Sequence, residues 1–521
     1  MKALLLCFLI SLVTAGQGLS SSKPNIIVIL ADDMGYSDLG CYGSEIPTPH
    51  LDTLAKNGAR LTHCRNASMC VVTRASLLTG KWWPSALPTF EKTPLLPELL
   101  KEQNYRSALI GKWHLKGHPM DRGFDHFFGF LNGFTDHFAG SLSYRLNREP
   151  FQDFGPDYYS SDAFADRAIS FIEKPSEDPF FVYLSFQAPH NPLQAPKADI
   201  MRHRGNYLKG WQSIREARFA KQKKIGLFPA DATLPAYPKN LPTWEALSPA
   251  QRDLEDLRMA TYAAMIERMD QAIGRLIASL KKSNQLDNTL ILFLSDNGTD
   301  SFSVVDKHML VKGKLPGDRN SNWQPGIGWA YASVTPWRLY KISQHAGGVT
   351  TGAIAHWPKG IPKAQTLHHP IHVVDFLPTL LATTGSDQKR DGISFLPLLK
   401  GETPGTPATS FYQYMDHRAI RTARFTLTEA DASGWELFDH QSDPFETKNL
   451  ASQKPALVKT LASQWHQWWN TQSGKKYRPQ STANSPHYKP QGDQGSGKLY
   501  QPTPMPSHLS SRYPLPKSPS R

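Results

Sequence analysis

Several short groups of side chains along the 521-residue chain have the types and spacing to do chemistry. Asp32 and Asp33 are adjacent, and Asp296 is followed directly by Asn297. Neighbouring carboxylates repel each other and resist burial unless a cation neutralises them. A turn cap would account for one aspartate of the first pair and leave the other without a task. Three carboxylates and one amide oxygen make a hard oxygen set, suited to Ca²⁺ or Mg²⁺ rather than Zn²⁺. Lys112-Trp113-His114 and Pro189-His190-Asn191-Pro192 offer a fixed positive charge and two imidazoles. Alone, the first is by default a surface feature and the second a plain turn. Close to an anion they gain a purpose, because Lys stabilises negative charge and His moves protons near neutral pH. Lys341 is a candidate second ligand for such an anion. Cys70 opens a run through Thr73, Arg74, Thr79 and Gly80; a lone cysteine is usually an inert core residue.

The elements that must carry these groups are legible as buried strands. Residues 25–30 form a continuous apolar, β-branched run that ends at Asp32-Asp33, and residues 289–295 deliver Asp296-Asn297-Gly298 in the same way. Shorter runs at 107–110 and 180–186 end at Lys112 and His190. In open α/β sheets ligands bind at the carboxyl ends of strands, so a wide separation in sequence is no obstacle to one shared site. Gly347 and Gly348 are expected to allow a close backbone approach or a tight turn before a strand at 353–357. A Lys/Arg-rich, Trp-containing segment at 197–252 reads either as an exposed insertion or as a lid or substrate wall, with the wall favoured; a helix follows over 262–280. The length suits one large α/β domain, residues 23–400. Beyond it apolar stretches shorten, which predicts a small α+β domain at 401–472 closed by a helix at 457–469, with Trp465, Trp468 and Trp469 as packing.

Taken in order, Asp32-Asp33, the run 70–80, residues 111–115, residues 188–192, Asp296-Asn297-Gly298, Lys341, residues 372–376 and residues 435–439 with Asp443-Pro444 and Asn449-Leu450 resemble the motifs of the sulfatases. The resemblance runs from about residue 23 to 469 and is strongest to the bacterial arylsulfatase branch over 209–276. It implies an alkaline-phosphatase-like fold, a large mixed sheet flanked by helices, with bound Ca²⁺ and hydrolysis of sulfate monoesters. Cys70 becomes a precursor, oxidised to formylglycine by a formylglycine-generating enzyme. The hydrated aldehyde has two hydroxyls on one carbon: one attacks sulfur and the other later expels sulfate. By the same resemblance Asp32, Asp33, Asp296 and Asn297 are metal ligands, joined by an oxygen of modified Cys70. Arg74 and Lys112 hold the hydrate and the sulfate, and Asp296 accepts the proton of the attacking hydroxyl. His190 and Lys341 serve the leaving alcohol, and His114 takes the proton of the second hydroxyl. Two positions depart from the family pattern: Val72 replaces the usual proline, and Ala346 replaces the usual glutamate beside His345. Two other readings stay open: a phosphomonoester or phosphonate monoester hydrolase, and a sulfated-glycan binding protein without catalysis.

The ends of the chain bear on where it works. Residues 1–15 combine Lys2, an apolar stretch and small residues, which predicts a signal peptide and export to the periplasm or medium. No later apolar run is long enough to span a bilayer. Cys41 and Cys64 are candidates for a disulfide in an oxidising compartment. The formal charge of +13 invites a nucleic-acid reading, but from Ser473 onward eight Lys/Arg stand against one Asp. Most of the excess therefore belongs to a Pro/Ser/Gln/Gly-rich tail, 473–521, expected to be a disordered, solvated extension rather than a tether to an anionic polymer. No nucleic-acid partner is expected; the expected partner is a sulfate ester, with sulfated glycans among the candidates. The sequons at Asn66 and Asn297 fall at the proposed site and read as coincidental.

Overall fold

The computed structural model describes residues 23–516 apart from 240, 304, 431–433, 480–499 and 501. The expected signal peptide lies outside the described residues. Eleven strands form one mixed sheet: β1 (Asn25–Asp32), β2 (Ala59–Arg65), β3 (Arg106–Lys112), β4 (His126–Phe130), β5 (Tyr144–Leu146), β6 (Glu149–Pro150), β7 (Phe180–Pro189), β8 (Thr289–Ser295), β9 (Thr350–His356), β10 (Gln365–Leu367) and β11 (Ile371–His372). Their order is β10-β2-β9-β8-β1-β7-β3-β4-β5-β6, with β11 beside β2. At the centre, β8, β1, β7 and β3 are mutually parallel, so their carboxyl ends share one edge. Both faces of β1 are apolar, as the sequence requires of a strand covered on each side. Ile27 and Ile29 enter one core, with the helix Pro249–Lys282; Ile26, Val28 and Leu30 enter the other, with the helix Phe376–Ala382.

A second, antiparallel sheet follows: β12 (Ser410–Tyr414), β13 (His417–Arg421), β14 (Phe425–Glu429) and β15 (Glu436–Asp439). The helix Pro455–Ser473 packs on it through buried Leu461, Trp465 and Trp468, with Trp469 half-buried beside them.

Two expectations are revised and a third is narrowed. Cys41 and Cys64 are free thiols: one sits on a 3₁₀ turn and the other within β2. The segment at 197–252 is not an exposed insertion: Arg215 and residues 235–239 wall a cavity against Arg338 and Glu436, and its helices also give structural support. Its helices Lys197–His203 and Gly210–Lys224 bury Trp211, Arg215 and Arg218, and Arg218 donates to Asp38 at 2.6 Å and to Glu45 at 2.8 Å. Asp38 in turn accepts from Gly35 N at 2.8 Å and from Tyr262 Oη at 2.8 Å, bracing the turn after Asp33. Finally, the tail is not a solvated extension throughout. Residues 502–516 lie as a strap across the large domain: Met505, Leu509 and Tyr513 are buried, Met505 N donates to Ala250 O at 2.8 Å, and Arg512 pairs with Asp318. Among the described residues no helix is long and apolar enough to cross a membrane.

Candidate active site

The four parallel strand ends converge as the sequence implies. Asp32 closes β1, Lys112 closes β3, His190 follows β7 and Asp296 follows β8. The chain leaving β2 supplies Cys70 at the first turn of the helix Cys70–Thr79. Asp32, Asp33, Arg74, Lys112, Asp296 and Asn297 are all fully buried, with 0% exposure. Such a concentration of charge survives burial only if each group is compensated.

The compensation is specific. Lys112 Nζ meets Asp32 Oδ2 at 2.5 Å, and Lys341 Nζ meets Asp33 Oδ2 at 2.7 Å. Arg74 donates from Nε and Nη2 to Asp296 Oδ2 at 3.2 and 2.9 Å, and from Nη1 to Lys112 O at 3.2 Å. Asn297 Nδ2 donates to Asp33 Oδ1 at 2.6 Å, which aims its carbonyl oxygen the other way. That oxygen, Asn297 Oδ1, and Asp32 Oδ1 are buried without a hydrogen-bond partner. Two orphaned oxygens amid three carboxylates fit a divalent cation by charge and by donor type. Ligand atoms of Asp32, Cys70 and Asp296 lie within 4.8 Å of one another, as do those of Asp32, Asp33 and His190.

Cys70 Sγ stands 3.3 Å from His114 Nδ1. Burial raises the thiol above its ordinary pKa despite Lys112 and Lys341 nearby, so the unmodified side chain is a poor nucleophile. Burial, with Lys112 and Arg74, drives His114 well below the usual imidazole range, and burial takes His190 down to about 3. Both rings are neutral. His190 Nδ1–H donates to Asn191 O at 2.6 Å, leaving Nε2 3.5 Å from Asp33 Oδ2. Burial would raise Asp33, but the ammonium of Lys341 outweighs it and holds the carboxyl low. For Asp296, burial and the like charge of Asp32 prevail over Arg74, and its pKa rises.

Backbone geometry contributes what spacing cannot show. Asp33 (φ 62°), His114 (φ 54°) and Ile342 (φ 79°) all adopt the left-handed region. That is uncommon for non-glycine residues and most costly for a β-branched one, and such strain clusters at functional sites. The glycines behave as expected: a Cβ on Gly298 would come within 2.0 Å of Gly347 O, so the Asp296 turn and the loop after Lys341 touch backbone to backbone. Asn66 and Asn297, the two sequon asparagines, are fully buried, and Asn66 Nδ2 is bonded to Ser295 O at 2.6 Å.

Every site residue singled out in the sequence, namely Cys70, Arg74, Lys112, His114, His190, Asp296, Lys341, Asp32, Asp33 and Asn297, falls in this one cluster. Sequence reasoning missed Asp300, a buried carboxyl raised by burial and lowered by Lys341. Thr73, named in the Cys70 run without a role, donates its hydroxyl to Asp296 O at 2.7 Å. Asp300 had a signal, being a second carboxylate on the Asp296 turn. His345 lies apart from the cluster. Its Nε2 meets Glu436 at 2.8 Å and its Nδ1 meets Ser343 Oγ at 2.9 Å, while Ala346 N donates to Glu446 at 2.9 Å. Where the family usually has a glutamate in the loop, this chain receives carboxylates from its C-terminal domain.

A family model described as Sulfatase matches residues 24–386, and one described as N-sulphoglucosamine sulphohydrolase, C-terminal, matches residues 341–471. An uncharacterised sulfatase of Schizosaccharomyces pombe is 33% identical, over 85% of this chain and 93% of its own. An arylsulfatase of Klebsiella aerogenes is 32% identical, over 79% of this chain and 97% of its own. The solved structure of Ps i-CgsB in complex with k-i-k-neocarrahexaose is 26% identical, with a TM-score of 0.63 over 89% of this chain and 96% of that one. The mixed sheet flanked by helices is therefore the shared architecture expected from the motifs. By the extent of the family match and the likeness to these relatives, the chain belongs to the sulfatase family of sulfuric ester hydrolases.

Proposed function

We propose that the protein is an exported, calcium-dependent sulfatase that works through a formylglycine made from Cys70 by a formylglycine-generating enzyme, on aryl sulfates and on sulfated glycans. The observation that carries this reading is the pair of orphaned oxygens, Asp32 Oδ1 and Asn297 Oδ1, beside Cys70 and three carboxylates. Asp32, Asp33, Asp296 and Asn297 would hold the cation. When present, the cation supplies charge neutralisation and the hydrated aldehyde supplies the attacking hydroxyl.

The chain's own residues supply the rest. Lys112 and Lys341, each anchored on a site carboxylate, put positive charge where an anionic ester must enter. Arg74 fixes Asp296 from two nitrogens, and the raised pKa of that carboxyl suits it to accept a proton. Neutral His114 presents Nδ1 toward position 70, placed to take a second proton from there. Lys341, whose ammonium carries protons, lies beside His190 Nε2 on the Asp33 side and is placed to give one to the departing oxygen, with His190 lining that position. Phe134, 49% exposed, stacks on His190 with centroids 5.9 Å apart and gives an incoming ring a face to rest on. The arylsulfatase relative and the oligosaccharide complex support the two substrate classes.

The test joins a mass measurement of the Cys70 peptide, from protein made in its native host, with turnover of sulfate and phosphate esters of one phenol before and after chelation. The expected outcome is an aldehyde at position 70, faster sulfate hydrolysis, and activity lost with the cation and restored by Ca²⁺. An intact thiol would favour a non-catalytic binder, and faster phosphate hydrolysis a phosphoesterase.

A further inference from the structure

A cavity of about 300 Å³ lies between the β2 edge of the large domain and the start of the C-terminal sheet. None of the catalytic residues lines it. Arg65, Trp82, His372, Ser394, Thr406 and Tyr412 do. Arg65 is the key to it, being 8% exposed with Nε buried and unpartnered. No carboxylate forms an ion pair with Arg65 among the described residues, and its side-chain partner is the hydroxyl of Tyr412. The acid nearest in effect, Glu446, is already taken by Arg421 at 2.8 Å and by Ala346 N at 2.9 Å. The two aspartates on the cavity wall are engaged by backbone: Asp375 accepts from His372 N and Ile393 N, both at 2.8 Å, and Asp391 from Trp82 N at 2.9 Å.

A buried guanidinium without an acid is costly, and an entering oxyanion removes that cost. Burial and the neighbouring Arg421 already lower Arg65 to about 10, in the direction an unmet need for negative charge requires. His372 adds a donor. Burial and Arg65 hold the ring neutral with a pKa of about 3, and Nδ1 accepts from Val374 N at 3.3 Å, which leaves the proton on Nε2. The walls beside these donors are aromatic: the ring centroids of Trp82 and Tyr412 lie 4.6 and 5.1 Å from that of His372. A fork of donors for an oxyanion, ring faces, and the hydroxyls of Ser394 and Thr406 match the anionic, apolar and hydroxyl parts of a sugar sulfate. The volume is at the lower end of small-molecule sites, which span roughly 300–1,000 Å³.

We infer that this cavity is a second, non-catalytic binding site that takes a sulfate group carried on a sugar ring, with Arg65 and His372 on the sulfate and Trp82 and Tyr412 on the ring. It stands independently of the chemistry at Cys70, since it needs neither the cation nor the aldehyde. The sulfate could equally arrive as the free ion, and the two sources are separable.

The experiment uses the full chain carrying Cys70→Ala, so that nothing is hydrolysed, and titrates galactose 6-sulfate, inorganic sulfate and unsulfated galactose by calorimetry. Arg65→Met and Trp82→Ala are added singly, with melting temperature as the folding control. The expected result is a sugar-sulfate binding component outside the catalytic site that weakens at least roughly tenfold in Arg65→Met. Trp82→Ala should weaken the sugar sulfate and leave inorganic sulfate unchanged. A component that survives Arg65→Met, or its absence from the parent chain, overturns the site. Inorganic sulfate binding as tightly as the sugar sulfate overturns the sugar assignment. If Arg65→Met does not fold, undiminished sugar-sulfate binding in Trp82→Ala overturns the proposal by itself.

Discussion

At the scale of single residues, the site separates groups that meet the substrate from groups that aim them, and His345 belongs to the second kind. It is buried between Ser343 and Glu436, and burial with Arg338 lowers its pKa, so it stands as a neutral ring in a hydrogen-bonded bridge. Losing one partner of a buried bridge leaves the other unsatisfied, at a cost of about 1–3 kcal/mol. His345→Ala is therefore expected to lower the melting temperature while a small aryl sulfate is still turned over at a substantial fraction of the parent rate. An unchanged melting temperature with kcat collapsed would instead make His345 part of the chemistry. The contrast with His114 is instructive. His345 is fully buried and His114 half-buried, yet only His114 has a ring nitrogen within 3.3 Å of Cys70, and it reaches there through a left-handed backbone. Spacing nominated His114 but could not have predicted that φ, because local strain is held by the tertiary surroundings rather than by the residue's own preference.

At the scale of elements, the strands that carry the site were readable because a strand covered on both faces must be apolar at every position. Residues 25–30 and 289–295 are such runs, and each ends where its carboxylates begin. The strap at 502–516 was not readable. Its anchors, Met505, Leu509 and Tyr513, stand four residues apart, but the prolines at 502, 504, 506, 514 and 516 confine helix to Ser507–Ser510, so the spacing does not read as a helix in the sequence. Nor could composition show that Arg512 is committed to Asp318, or that Arg204 donates to Tyr513 O at 3.0 Å. Full burial of each apolar anchor contributes on the order of 1.5–3 kcal/mol as an upper estimate. Truncation after residue 479 should accordingly lower the melting temperature by several degrees. It should also increase proteolysis in the segment around Asp318, which the strap covers through Arg512 and Tyr513. A truncated chain that melts and resists protease as the full one does would show the strap to be idle.

At the scale of the whole molecule, the C-terminal domain reaches the catalytic centre by packing, with Tyr414 against the cluster that holds Cys70 and Ile342, and by hydrogen bonds. Arg421, on β13, donates to Gln344 O at 2.8 Å and pairs with Glu446 at 2.8 Å. Gln344 donates to Ser68 Oγ at 2.6 Å, and Ile342 N donates to Ser68 O at 2.9 Å. The loop carrying Lys341 is thus tied on one side to the segment that leads into Cys70 and on the other to a different domain. With Ile342 at φ 79° the loop holds an unfavourable conformation that those ties must maintain. Releasing one of them should move Lys341 away from Asp33 and from the incoming ester. Small displacements of a positioned charge are expensive in rate, up to about a hundredfold for 1 Å. Arg421→Met is therefore expected to lower kcat on a small aryl sulfate by on the order of tenfold or more. KM should move less, and Arg421→Lys should recover part of the rate through a retained charge opposite Glu446. A fall in melting temperature with kcat intact would make the C-terminal domain a passive cover. A fall in kcat relieved by lysine would make the two domains one catalytic unit, with the smaller one setting where Lys341 stands.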